Sequence, residues 1–221
     1  MPLRCPPPAL SLFDSARFLL SVADLTGLPP PGVPEIAFAG RSNSGKSTAI
    51  NVLTRQTRLA FSSKTPGRTQ LLNFFELSAK NAEGEREPVA QLVDLPGYGF
   101  ARADPSARAT WDALVGGYVS SREPLAGLVI VMDARRPLLP ADEALIDFLA
   151  HRPLALHLLL NKADQLKTME KRAAIKLATE RAARLGPQAS AQLFSGLKRE
   201  GVDELREVLL RWLKREAPAA Q

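Results

Sequence analysis

Apolar residues along this chain recur in two rhythms, and the two rhythms alternate. Short, nearly continuous apolar runs predict strands at residues 34–40, 69–78, 88–94, 126–133, 154–160 and 190–194. Runs such as GLVIVM and LALHLLL suit strands covered on both faces. Spacing near 3.6 predicts helices at 46–55, 105–121, 141–150, 167–184 and 202–215. FDSARFLLSV, from Phe13, also has helical spacing. NAEGERE, residues 81–87, reads as a turn between two strands, so one edge pair is expected to be antiparallel. Helices alternating with buried strands argue for one three-layer α/β domain over residues 13–216. A proline-rich segment, residues 1–12, is expected to be a disordered tail, and LPPPGVP, residues 28–34, a stiff linker into the next strand. Residues 217–221 read as a second tail.

The candidate chemistry sits where strands end. GRSNSGKST, residues 40–48, follows a strand and opens a helix. Gly40, Gly45, Lys46 and Ser47 meet the phosphate-loop spacing G-x-x-x-x-G-K-[ST]. Glycines let the backbone curl so that its N–H groups face a phosphate, with a helix N-terminus behind them. Lys46 would then reach the β- and γ-phosphates, and Ser47 would ligate Mg²⁺. DLPG, residues 94–97, ends the strand VAQLVDLPG. Asp94 there can hold the magnesium through water, and Gly97 can offer its N–H to a γ-phosphate because no side chain intervenes.

NKAD, residues 161–164, ends LALHLLL. The Asp164 carboxylate can accept from N1–H and the exocyclic amine of guanine, whereas adenine presents the opposite pattern. Asn161 would brace the phosphate loop, and the Lys162 stem would cover the purine. FSG, Phe194 to Gly196, follows the last strand and could donate a backbone N–H to guanine O6. A threonine must still complete the magnesium shell, and SSKTPGRTQLLNFF offers both Thr65 and Thr69. These residues point to GTP and GDP as substrate and product.

Composition changes this picture little. One cysteine, Cys5, excludes an intrachain disulfide and any multi-cysteine metal site. His151 and His157 read as surface or packing residues. No apolar run reaches the roughly 18 residues of a membrane span, and the N-terminus lacks the build of a signal peptide. The expectation is a cytoplasmic protein, and a monomer, with no membrane partner. Net charge of +6 favours a polyanionic partner. Basic residues gather on the 167–184 helix (Lys167, Lys171, Arg172, Lys176, Arg181, Arg184) and on the last helix (Arg206, Arg211, Lys214, Arg215). Phe74 and Phe75, in a strand pattern, read as core, and Trp111 and Trp212 as helix packing.

These motifs, in this order, resemble the P-loop GTPases. FLLSVADLTGLPPPGVPEIAFAGRSNSGKST, SSKTPGRTQLLNFFEL and LVDLPGYGFAR resemble, more narrowly, the EngB (YihA/YsxC) family of bacterial ribosome-assembly GTPases, within the TrmE-Era-EngA-EngB-septin group. The resemblance spans about residues 13–215. It implies a Ras-like domain with a mostly parallel six-stranded sheet and one antiparallel edge strand. It implies GTP hydrolysis and a role in late assembly of the large ribosomal subunit, on rRNA and ribosomal proteins. A signalling or cell-division (septation) GTPase acting on a protein or membrane is the alternative.

By the same resemblance, the magnesium threonine is Thr69. Nucleotide contacts carry over to Arg41, Ser42, Asn43 and Ser44, to Gly67, Arg68, Gln70 and Leu71, to Leu95 and Pro96, and to Ala163 and Ser195. Lys46, Thr69 and Gly97 carry the catalytic roles. The family often has T-K-A-D where this chain has NKAD, and Ser-Ser or Ser-Ala where it has Ser195-Gly196. The glutamine that orients water in many small GTPases is replaced by Tyr98, so slow intrinsic hydrolysis is expected. Potassium-dependent relatives carry an asparagine at the position of Asn43, which makes K⁺ a candidate cofactor. Arg68 and Arg102 lie beside the switch segments, where an arginine finger or a surface arginine both fit.

Overall fold

Along strand β2 (Glu35–Gly40), Ile36 and Phe38 pack on one side of the sheet and Ala37 and Ala39 on the other, and all six residues are buried. A strand apolar on both faces needs cover on both, and the chain supplies it. The computed structural model describes residues 9–61, 70–99 and 109–216. On the Ile36 side lie α1 (Lys46–Leu53) and α5 (Val202–Glu216), contributing Ile50, Leu53, Leu205, Leu209 and Trp212. On the Ala37 side lie α2 (Gly117–Ser121, continuing a π-helical stretch Asp112–Gly116), α3 (Pro140–Ala150) and α4 (Thr168–Ala183). Helix α4 turns the small residues Ala174, Ala178 and Ala182 inward, one per turn, which lets it lie close to the sheet.

The remaining strands are β1 (Arg17–Val22), β3 (Leu72–Lys80), β4 (Arg86–Asp94), β5 (Leu125–Asp133), β6 (Ala155–Asn161) and β7 (Ala189–Leu193). Their order in the sheet is β1-β3-β4-β2-β5-β6-β7. The five strands from β4 to β7 in that order are parallel. The predicted three-layer, mostly parallel class holds, and six of the strands fall where the apolar runs put them.

Two expectations are corrected. The sheet has seven strands, not six, because the segment read as a helix from Phe13 is a 3-10 turn, Ala9–Ser15, followed by β1. β1 pairs antiparallel with β3, so β3, the strand running against the others, lies second from the edge. The backbone groups on the outer side of β3 require partners, and that tertiary demand overrides the local helical spacing. The same 3-10 turn also takes in residues 9–12, which the sequence assigned to the tail. The rest of that tail (residues 1–8, with Cys5), the C-terminal tail 217–221, and residues 105–108 of the predicted helix lie outside the described residues.

Phe74 and Phe75 are core, as predicted, and so is Trp212. His157 is buried between strands, its Nδ1 receiving the Ser190 hydroxyl (2.8 Å) and its Nε2 donating to Gln192 Oε1 (3.0 Å). Burial pushes its pKa down from 6.5 to about 4, and the Arg211 charge adds to that, against the Gln192 hydrogen bond. Between those two pH values the unfolded chain binds a proton that the native chain refuses, so acid favours unfolding. Native stability should therefore fall from pH 6.5 towards 4, by up to about 3 kcal/mol from this group. Urea unfolding at pH 7 and pH 4.5 should show a smaller loss for His157→Gln than for the unaltered protein.

Candidate functional site: a phosphate loop at the carboxyl ends of four strands

Strands β2, β4, β6 and β7 end at Gly40, Asp94, Asn161 and Leu193, all at the same edge of the parallel sheet. The loops leaving these ends carry GRSNSGKS, DLPG, NKAD and FSG. Four segments far apart in sequence thus converge, at the place where open α/β sheets bind ligands.

The phosphate loop closes on the N-terminus of α1. Gly45 caps that helix with φ at 90°, a left-handed conformation, and a Cβ there would fall 2.2 Å from Asn161 Nδ2. Only glycine satisfies both constraints. The Asn161 amide donates to the carbonyls of Ser44 (3.0 Å) and Gly45 (3.4 Å), which is the bracing expected from sequence. Its Oδ1 accepts the N–H groups of Lys162 (2.8 Å) and Gly196 (3.2 Å). One buried side chain therefore ties the phosphate loop, NKAD and FSG together.

Lys46 Nζ and the Asp94 carboxylate form an ion pair, both largely buried. Burial raises the Asp94 pKa, while the Lys46 charge and hydrogen bonds from Lys46 and Asn73 pull the other way. Ser47 is buried one residue into α1. The hydroxyl of Ser47 and the carboxylate of Asp94 are hard oxygen donors of the kind Mg²⁺ takes. Leu95 is buried and its N–H donates to the Phe38 carbonyl (3.0 Å), which holds DLPG alongside β2. Gly97 lies against the phosphate loop, since a Cβ there would meet Ser42 Oγ at 3.2 Å. Gln70 and Leu71 are half-buried just ahead of β3. Thr65, Gly67, Arg68, Thr69 and Arg102 lie outside the described residues.

Where NKAD and FSG meet, Ser195 Oγ donates to Asp164 Oδ1 (2.5 Å) and accepts the Lys198 N–H (3.0 Å). The Ala163 N–H donates to the Phe194 carbonyl (3.0 Å). Sequence reasoning assigned FSG a backbone contact alone. The Ser195 side chain, which orients the Asp164 carboxylate, was missed, and so degenerate a tripeptide carries no signal for it. Lys162, in a left-handed conformation, spans the loop: its Nζ donates to the Asn43 carbonyl (2.6 Å) and to Asp133 Oδ2 (3.0 Å). Burial alone would raise the Asp133 pKa, but hydrogen bonds from Arg135 and Lys162 outweigh it and hold the carboxyl well below the usual range. A cavity of about 430 Å³ opens beside the loop, lined by Arg41 to Ser44, Asp133, Arg135, Arg136 and Lys162.

Tyr98 does not face this site. It is buried, and its hydroxyl donates to Asp142 Oδ1 (2.8 Å). Two of the basic residues grouped from sequence are taken up in contacts within the fold, one of them fully buried. Arg206 is fully buried and donates to the Leu53 carbonyl and to Asp14, closing the C-terminus of α1. Arg181 pairs with Glu143 and Asp147. Lys167, Arg172, Lys176, Arg184, Arg211 and Lys214 remain exposed.

A family model described as "50S ribosome-binding GTPase" matches residues 35–162. A probable GTP-binding protein EngB of Aromatoleum aromaticum is 48% identical over 204 residues, 92% of this chain and 90% of that protein. One from Thiobacillus denitrificans is 48% identical over 210 residues, covering 95% of this chain and 96% of its own length. Among solved structures, a probable GTP-binding protein engB aligns with a TM-score of 0.58 at 19% identity, over 82% of this chain and 99% of that one. Era in complex with MgGDPNP and a fragment of 16S ribosomal RNA aligns with a TM-score of 0.60 at 23% identity, over 86% of this chain and 59% of that one. At such identities the two structures speak for the fold alone.

Proposed function

Because this chain belongs to the EngB family of GTP-binding GTPases, we propose that it acts as a switch in late assembly of the large ribosomal subunit, docking on rRNA when GTP-bound. Binding and hydrolysis of GTP come with the family. The partner is the proposal, and what supports it is the description of the matched family together with a net charge of +6. Residues 13–216 form the working G domain in this reading, a cytoplasmic monomer. Among the described residues no helix is long and apolar enough to cross a membrane.

The reading assigns roles to the converging loops. Backbone N–H groups of residues 43–47 cradle the phosphates at the N-terminus of α1. Lys46 exchanges its Asp94 partner for the β- and γ-phosphates. Ser47 and Thr69 would hold Mg²⁺ through their hydroxyls and Asp94 through water, and the ion when bound would offset the charge of those phosphates. The Gly97 N–H meets the γ-phosphate. Asp164, oriented by Ser195, pairs with guanine, and Lys162 covers the ring. Tyr98, turned inward onto Asp142, supplies no group to orient water, so intrinsic hydrolysis is slow and a partner or ion completes the site. Asn43, held in a left-handed conformation (φ 66°) at the loop, is the residue that would hold K⁺ if that ion completes the site. Equal hydrolysis rates in potassium and sodium buffers would remove that ion from the scheme.

Sedimentation with ribosomal subunits tests the partner. With a non-hydrolysable GTP analogue the protein should pellet with large subunits or their precursors, far less with GDP, and progressively less as salt rises, since phosphate contacts release counterions. Binding to no subunit in any nucleotide state would sink the ribosomal reading and favour a signalling or cell-division partner.

A further inference from the structure

One buried carboxylate outside the four converging loops bonds to one of them and to the residue that directly follows another. Asp142, in the first turn of α3, has no exposed surface. Arg41 Nε donates to both of its oxygens (3.0 and 3.1 Å), the Tyr98 hydroxyl to Oδ1 (2.8 Å) and the Leu139 N–H to Oδ2 (3.0 Å). Arg41 belongs to the phosphate loop and Tyr98 directly follows Gly97. The same two segments exchange backbone bonds, Tyr98 N–H to the Gly40 carbonyl (3.2 Å) and Ser42 N–H to the Tyr98 carbonyl (3.3 Å). The indole of Trp111 meets the Tyr98 ring edge-on at 5.9 Å and donates to the Pro96 carbonyl (2.9 Å), closing the far side.

We propose that Asp142 is a positioning residue for GTP hydrolysis: through Arg41 and Tyr98 it sets the spacing between the phosphate loop and Gly97, and it holds the Tyr98 side chain away from the reacting phosphate. Asp142 touches no reacting atom in this scheme. The inference rests on the reading that Gly97 meets the γ-phosphate. A carboxylate is needed because one group must accept from a guanidinium and a phenol at once. A neutral amide retains one acceptor oxygen and lacks the charge that pairs with Arg41. GDP has no γ-phosphate, so its binding does not depend on where Gly97 sits.

The test compares affinities for a non-hydrolysable GTP analogue and for GDP, together with kcat, in Asp142→Asn, Tyr98→Phe and Gly97→Ala. Asp142→Asn should lose about tenfold or more in analogue affinity relative to GDP, the scale of a lost charge-assisted hydrogen bond, with a matching fall in kcat. Tyr98→Phe, which removes one hydroxyl and keeps the ring against Trp111, should shift the same ratio in the same direction by less. Thermal unfolding reports whether each variant folds, and Tyr98→Phe carries the test if Asp142→Asn does not. Equal loss for both nucleotides, or none for either, in Tyr98→Phe and Asp142→Asn overturns the proposal. If Gly97→Ala also leaves the ratio unchanged, the γ-phosphate reading itself has failed. If Gly97→Ala collapses it while the other two do not, only the role of Asp142 has.

Discussion

Asp164→Asn is expected to lower affinity for GTP by on the order of a hundredfold or more, and to turn the site towards xanthine nucleotides. In the native site Ser195 Oγ donates to one oxygen of Asp164 at 2.5 Å, which fixes the carboxylate plane. Guanine offers two donors to that carboxylate. An amide can accept one of them, but its NH₂ then faces the second donor, and two donors left together in a half-buried site cost their full desolvation. Xanthine carries a carbonyl where guanine carries the amine, so the same NH₂ finds an acceptor. The measurement is competition binding of GTP, XTP and ATP to both forms. Unchanged preference for GTP in the variant would mean that Asp164 does not read the base.

Glu35→Ala should destabilise the fold by about 3–5 kcal/mol, the usual result of stripping one partner from a buried ion pair. Glu35 opens β2, at the opposite end of that strand from the phosphate loop. Arg122 Nε donates to both Glu35 oxygens (2.9 and 3.0 Å), its Nη2 donates to Oε1 (2.5 Å), and the Tyr118 hydroxyl donates to Oε2 (2.7 Å). Glu35 and Arg122 are 1% and 7% exposed, so water cannot replace a lost partner. For a chain of this size the loss corresponds to roughly 6–20 °C in Tm. The double variant Glu35→Met/Arg122→Met should be more stable than Glu35→Ala alone, because no uncompensated charge is left inside. A Glu35→Ala protein melting within 2 °C or so of the parent, well short of that range, would show that the pair is not worth what its burial implies.

Much of the site was legible because its chemistry is local. A loop that curls around phosphate needs glycine at Gly45 wherever the chain lies, since φ there is positive and Asn161 fills the space a side chain would take. A carboxylate at a strand tip, as at Asp94, or a few residues past one, as at Asp164, also shows where an apolar run gives way to a charge. Other parts left no such trace. Asp142 sits in PADEALIDF beside two other acidic residues, and nothing in that helix separates the hub from its solvated neighbours. Ser195 was placed at the nucleotide through its backbone, with no sign that its hydroxyl bonds Asp164. Arg206 looked like one more surface cation on a basic helix, yet it is the largest fully buried side chain described.

By itself the sequence determined the α/β class, six of seven strands, the order of the nucleotide motifs and the resemblance that led to the family. Those follow from periodicity and from backbone demands that a few residues must meet in place. The seventh strand was decided by tertiary structure, because the outer side of β3 needs hydrogen-bond partners that RFLLSV can provide and its own spacing does not announce. The bonds that join the motifs were decided there too: Asn161 to three loops, Asp142 to the phosphate loop and Tyr98, Ser195 to Asp164. Such contacts depend on which loops the parallel sheet brings to one edge, and a polar side chain in sequence carries no sign of the partner it will find across that edge.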